Sequence, residues 1–219
     1  MKKIFLYITV ILAGLFITAC DEDVEVWDSA TLDYSGRYVV AVQSEDQSAT
    51  YAEIQMDVFN TAKNLSDEMW IQDLDDLFPL QAKIFIEGNT SSFKSKSMNF
   101  DDLGDNINAI TVPETAPTAD GQSVTEDRYY IRCGLVDGKV IANAATTIGG
   151  NTADSLYMKI RLLSGTVTFK SFSVPVALRA DPDKEEFAWE FDSMVYDDAL
   201  DETYVLSGHR YTGFPEDDH

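Results

Sequence analysis

Strict alternation of apolar and polar residues constrains this chain more than any other feature. Ala52, Ile54, Met56 and Val58 alternate with Glu53, Gln55 and Asp57. Only an extended strand, whose side chains point to opposite faces in turn, gives such a segment one dry and one wet side. The same period recurs in Tyr38 to Val42, Leu80 to Glu87, Ser92 to Phe100, Ile107 to Val112 and Arg128 to Val136. It continues in Ser155 to Leu163, Thr166 to Leu178, Phe187 to Val195 and Thr203 to Tyr211. Asp137-Gly138 reads as a two-residue hairpin turn into Lys139 to Ala142, and Gly149-Gly150 as a glycine-rich corner. Helical periodicity is weak everywhere except Asp67 to Phe78, where Trp70-Ile71 nevertheless looks extended.

About ten short strands without βαβ spacing predict an all-β antiparallel sandwich or barrel. We favour an up-and-down barrel of about 8–10 strands, because closure removes the edges that so many alternating strands would leave open to aggregation. Asp101 to Asp127, with Pro113 and Pro117, interrupts the series as a surface loop holding one short strand. It is also placed to act as a lid over a barrel mouth.

The chain begins with Lys2 and Lys3, an apolar run from Ile4 to Ile17, and Ile17-Thr18-Ala19-Cys20. An apolar run of about 14 residues falls short of the roughly 20 that a spanning helix needs, which favours a secretory signal ending in a lipobox over an anchor helix. Residues 1–19 are then the signal peptide, Cys20 the site of lipid attachment, 20–33 an acidic tether and 34–219 the barrel domain. Acyl chains on Cys20 would hold the protein to a membrane, each buried methylene contributing about 0.8 kcal/mol. The acidic Asp21-Glu22-Asp23 that follows resembles the tag that sends lipoproteins of some gut anaerobes to the outer face of the outer membrane. In enteric bacteria an Asp at that place points instead to the inner membrane.

The formal net charge of −22 argues against nucleic acid and anionic bilayers as partners. The acidic runs lack the glycine and terminal Glu of a calcium loop, so no metal and no cofactor is expected. Lipidation of Cys20 leaves Cys133 unpaired, a small apolar residue sharing a strand face with Ile131 and Leu135.

Two long motifs carry a family resemblance. Phe59-Asn60-Thr61-Ala62-Lys63-Asn64, followed by Met69-Trp70-Ile71-Gln72-Asp73, is the first. The second is the terminal Ser207-Gly208-His209-Arg210-Tyr211-Thr212-Gly213-Phe214-Pro215-Glu216-Asp217-Asp218. Together they resemble the hallmarks of the lipid-binding putative hydrolase family of surface lipoproteins, which implies a lipocalin-like, calycin-type barrel and a lipid-like ligand. Gly36-Arg37-Tyr38 and Arg210 are also similar to the lipocalin pairing of an aromatic on the first strand with a late arginine. That similarity implies a clasp between Arg210 and Tyr38.

Trp70, Trp189 and Phe191 are the residues that could line a ligand cavity, although large aromatics in a barrel also serve as packing. Hydrolysis would have to use His209 as its base, because Gly-x-Ser-x-Gly and HExxH are both absent. His209 alternates with Ser207 and Tyr211 along the last strand and reads more readily as a hydrogen-bonded structural residue. Three functions follow: a non-catalytic barrel that binds a lipid-like or other small apolar molecule at the cell surface, an esterase-like hydrolase, and an accessory module docking to an outer-membrane nutrient-uptake partner.

Overall fold

The structure, a computed structural model, describes residues 28–74, 81–88, 91–103 and 110–217. The signal peptide and Cys20 expected from the sequence lie outside the described residues. Nine strands occur among the described residues: β1 (Gly36–Ser44), β2 (Thr50–Asn60), β3 (Glu68–Asp73), β4 (Gln81–Ile86), β5 (Ser92–Lys94), β6 (Ser123–Thr146), β7 (Thr152–Ser173), β8 (Phe187–Tyr196) and β9 (Glu202–Arg210). All pairings are antiparallel. Consecutive strands from β1 to β7 pair in turn, and β9 then bridges β7 back to β1. The sheet therefore closes in a ring, as the alternation predicts.

The strand β8 stands outside this ring. It pairs with Gly165–Ser173, the second half of β7, while β9 pairs with Ser155–Leu162 of the first half. With the first residues of β6 it makes a three-stranded extension of the barrel wall.

Alternation sends Tyr38, Val40 and Val42 of β1, Ile54, Met56 and Val58 of β2, and Met69 and Ile71 of β3 into one core. Leu156, Met158, Ile160 and Leu162 of β7 meet them from the other side, together with Phe93, Cys133 and Leu135. Cys133 is fully buried here, and that burial pushes its thiol pKa far up. A second cluster of Phe100, Leu103, Ile131, Leu163, Val167 and Phe169 lies across the wall. Leu162 and Leu163 are both buried because β7 passes from one cluster to the other between them.

Several expected boundaries change. Asp137-Gly138 is not a hairpin turn but part of the continuous strand β6. A bulge falls between Leu135 and Asp137, and Gly138 is needed because a Cβ there would lie 2.4 Å from Cε2 of Phe93. The hairpin turns instead at Thr147 to Asn151, around the glycine pair, where Thr147 N–H donates to the Asn151 carbonyl at 2.9 Å. The two strands expected over Ser155 to Leu178 are one, β7, which ends at Ser173, and Val176–Leu178 forms a 3-10 turn. Only Ser92–Lys94 of the expected Ser92 to Phe100 strand is extended, and Phe100–Leu103 forms a 3-10 turn. Of the expected strand at Ile107 to Val112, residues 110–112 are not in a strand and the others lie outside the described residues. Asp67 to Phe78, the sole candidate helix, contains β3.

The turn of the first family motif and the whole of the second build one end of the barrel, while Met69 to Asp73 of the first run along β3. Asn64 turns between β2 and β3 with φ 49, accepts Ala30 N–H at 2.8 Å and donates to the Asp28 carbonyl at 3.1 Å. It thereby ties down residues 28–33, the last of the expected tether, and the adjoining Tyr34 meets Phe93 edge-on at 6.3 Å. The Arg210 guanidinium lies 5.6 Å from the Tyr38 ring, donates to Tyr38 Oη at 3.2 Å and to the Asp33 carbonyl at 2.7 Å, and pairs with Asp154 at 3.2 Å. This is the clasp that the lipocalin similarity implies.

The tail is latched by Asp217, which is 1 % exposed. It accepts Gly149 N–H at 3.0 Å and Asn151 Nδ2 at 3.1 Å, together with the Thr212 hydroxyl. Burial alone would raise its pKa, but hydrogen bonds from Thr147, Thr212, Asn151 and Gly149 outweigh it and bring the value to about 2. A carboxyl depressed below its ordinary 3.8 contributes stability above that pH and loses it as pH falls through the folded value. Protection of the amides at residues 211–217, relative to their intrinsic exchange rates at each pH, is therefore expected to fall between about pH 4 and pH 2. Asp217→Asn should remove that pH dependence.

Candidate functional site

The barrel interior is filled. Tyr38, Phe93, Met56, Met69, Ile71, Ile84, Leu135 and Met158 are all among its largest fully buried side chains. One end carries Tyr34 and the Arg210 clasp described above. At the other, Tyr130 Oη donates to Glu202 at 2.6 Å, Tyr204 donates to the same carboxylate, and both rings pack against the core. Tyr130 sits at φ 58, a strained conformation for an aromatic residue. Burial, reinforced by Glu202, raises the pKa of both phenols.

One hollow among the described residues is on the outer wall. In β3 and β4 the residues Met69, Ile71, Ala82 and Ile84 face the core, so Trp70, Lys83 and Phe85 must face outward. Trp70 pairs with Lys83 across the two strands. Over them runs the chain from Ser95 to Leu103. Its start is fixed to β6, where Ser95 N–H donates to the Leu135 carbonyl at 2.9 Å and Ser95 Oγ accepts Leu135 N–H at 2.9 Å. It then crosses Gly134, where a Cβ would lie 2.5 Å from Met98 Cε and 3.1 Å from Leu103 Cδ1. Its far end is seated by Phe100, which stacks on Tyr196 at 4.9 Å and lies 4.3 Å from the Arg132 guanidinium.

Between the wall and this segment lies a groove of about 670 Å³ lined by Trp70, Lys83, Phe85, Ser95, Lys96, Ser97, Asp102 and Leu103. That volume is in the range of small-molecule sites. Lys83 Nζ lies 5.3 Å from the Trp70 ring and Lys96 Nζ 5.9 Å from Phe85. Lys83 also reaches Glu68 at 3.6 Å, and the Thr61 hydroxyl donates to the other Glu68 oxygen at 2.7 Å.

The three aromatic residues expected to line a ligand cavity are not brought together. Trp70 is in this groove. Trp189 belongs to the second cluster and to a separate hollow of about 600 Å³ against residues 111–115, where its Nε1 donates to the Thr115 carbonyl at 2.7 Å. Phe191 lies on β8, outside the ring, and is 50 % exposed. Of the loop considered as a lid, Asp102 and Leu103 border the outer groove, and the part from residue 110 runs against the three-stranded extension, where the Thr111 carbonyl accepts a hydrogen bond from Arg128 at 3.2 Å. Lys83, Phe85, Lys96 and Leu103 had not been singled out. One signal for them exists: Phe59, Trp70 and Phe85 are large aromatics on faces that alternation makes wet.

The chemistry offered is recognition: aromatic surface, two ammonium groups, hydroxyls and one carboxylate. His209 is on β9, its Nδ1 3.1 Å from the Arg210 carbonyl, while the Ser207 hydroxyl donates to Gln43 at 3.2 Å. Among the described residues no three His, Cys, Asp or Glu side chains converge as a metal ion requires. No curated protein matches the chain. A family model described as lipid-binding putative hydrolase matches residues 23–215, nearly the whole sequence. That match over most of the sequence shows that this chain, with its closed antiparallel sheet, belongs to the lipid-binding putative hydrolase family.

Proposed function

We propose that this protein binds a lipid-like molecule without transforming it, and that the ligand lies in the outer groove beside Trp70. The observation that carries this reading is the pairing of a filled interior with a groove of about 670 Å³ whose lining includes Trp70, Phe85 and Leu103. An acyl chain laid along those side chains would remove their apolar surface from water, worth about 25 cal/mol per Å². The N-terminal reading completes the proposal: export by a signal peptide, acylation of Cys20 and residence on the outer membrane, facing the surroundings. A work surface on the outside of the barrel suits that placement, since a ligand or an outer-membrane partner would reach it without entering the sheet.

The described strands close on one another from Asp28 to Asp217, so a chain beginning at Asp21 retains every described element. Purified under native conditions, this form should yield a bound lipid by mass spectrometry. Trp70→Ala should weaken its retention by about 10- to 100-fold, the equivalent of one buried aromatic side chain. Absence of any co-purified or added lipid would remove the proposal. A hydrolase reading rests on the family description and His209; lipid-ester turnover abolished by His209→Ala would replace ours.

A further inference from the structure

We infer that the groove selects a single-chain amphiphile with a monoanionic carboxylate head, the chemistry of a long-chain fatty acid. The inference rests on the groove being the lipid site and adds the nature of the head group. This chain has 38 acidic against 16 basic residues, so an anion meets general repulsion over its surface. The lysines that line the groove are held differently from many others. Lys94, Lys159, Lys170 and Lys184 sit within 2.5–2.8 Å of a carboxylate oxygen. Lys83 is 3.6 Å from Glu68, and Lys96 has no ion pair among the described residues. Each ammonium instead lies over an aromatic face of the groove, Trp70 for Lys83 and Phe85 for Lys96. A cation stationed there retains attraction for an incoming anion while its aromatic support contacts the chain that follows.

Asp102 sets the size of the charge. Two ammonium groups face one carboxylate in the lining, and Glu68, 3.6 Å from Lys83, offsets part of the remainder, so the groove offers at most a single unit of positive charge. That suits one negative charge better than the two of a phosphate monoester. Ser97 Oγ accepts Asn99 N–H at 3.1 Å, which leaves its own hydrogen free to donate to a carboxylate oxygen. Leu103, Phe85 and the Trp70 ring then face the methylenes.

The test compares dodecanoate, 1-dodecanol and dodecyl phosphate by calorimetry on the chain beginning at Asp21. Dodecanoate is expected to bind about tenfold tighter than dodecanol, a difference of about 1.4 kcal/mol, and tighter than the phosphate. Raising salt from about 20 to 300 mM should weaken dodecanoate and not dodecanol, since only the former relies on screened charge. In Lys83→Gln/Lys96→Gln the ratio of the two affinities should fall to about one. Equal affinity for acid and alcohol, a preference that survives the double substitution, or tighter phosphate binding would overturn the inference. Failure of all three amphiphiles to bind would instead sink the lipid reading beneath it. The salt arm on the unsubstituted protein decides the matter even if the double variant does not fold.

Discussion

Gly208→Ala is expected to destabilise the barrel by about 3 kcal/mol or more, beyond the usual range for an overpacked core. At this position β9 crosses β1 so closely that a Cβ would lie 1.9 Å from the Val39 carbonyl oxygen and 2.7 Å from Val40 Cα. Both obstacles are backbone, so no rotamer change relieves them. The strands must separate, and the β1–β9 seam is one of those that close the ring. Urea denaturation should show a lower midpoint with little change in slope. A midpoint within experimental error of the parent would mean that the seam is looser than the structure shows.

Arg210→Ala should cost about 2–4 kcal/mol, combining the loss of a cation over an aromatic ring with the loss of charge-assisted hydrogen bonds. The substitution leaves Asp154 without its guanidinium partner and releases the Asp33 carbonyl, so it loosens both the first strand and the residues that precede it. Arg210→Lys should recover only part of this, because a single ammonium cannot span the Tyr38 ring, the Asp33 carbonyl and the Asp154 carboxylate together. Tyr38→Phe, which keeps the ring and loses a hydroxyl that donates to the Tyr34 carbonyl at 2.7 Å, should cost about 1 kcal/mol. Equal losses for the alanine and lysine variants, read from thermal melts, would contradict the clasp.

The legible part of the fold was the part with unbroken parity. In β2 every inward residue is two positions from the next, and sequence and structure agree residue by residue. The long β6 and β7 resisted because their register shifts: irregularities fall between Arg128 and Arg132, Leu135 and Asp137, and Ile141 and Ala145. The shift between Leu135 and Asp137 inserts one extra residue and moves the apolar residues to the other parity, while the other two each insert two and interrupt the alternation without inverting it, so Asp137-Gly138 imitates a turn. Leu162-Leu163 carries a similar ambiguity for a different reason, since each leucine faces its own cluster.

The candidate site was less legible because it is made across the fold. Trp70 stood out by its size, but Lys83 and Phe85 reach the same groove through strand pairing, and Lys96 and Leu103 through a segment laid over Gly134. No spacing along the chain encodes that crossing. The two family motifs, for their part, specify turns, the Arg210 clasp and the Asp217 latch at one barrel end, and of the groove lining they supply Trp70 alone.

The central claim is that the ligand is held on the outside of a packed barrel. It is tested most directly by a crystal of the chain beginning at Asp21 grown with a bromine-labelled fatty acid. Anomalous bromine density is predicted beside Trp70 and Phe85, beneath the chain from Ser95 to Leu103. Bromine density within the ring, among Met56, Met69 and Met158, would contradict the account.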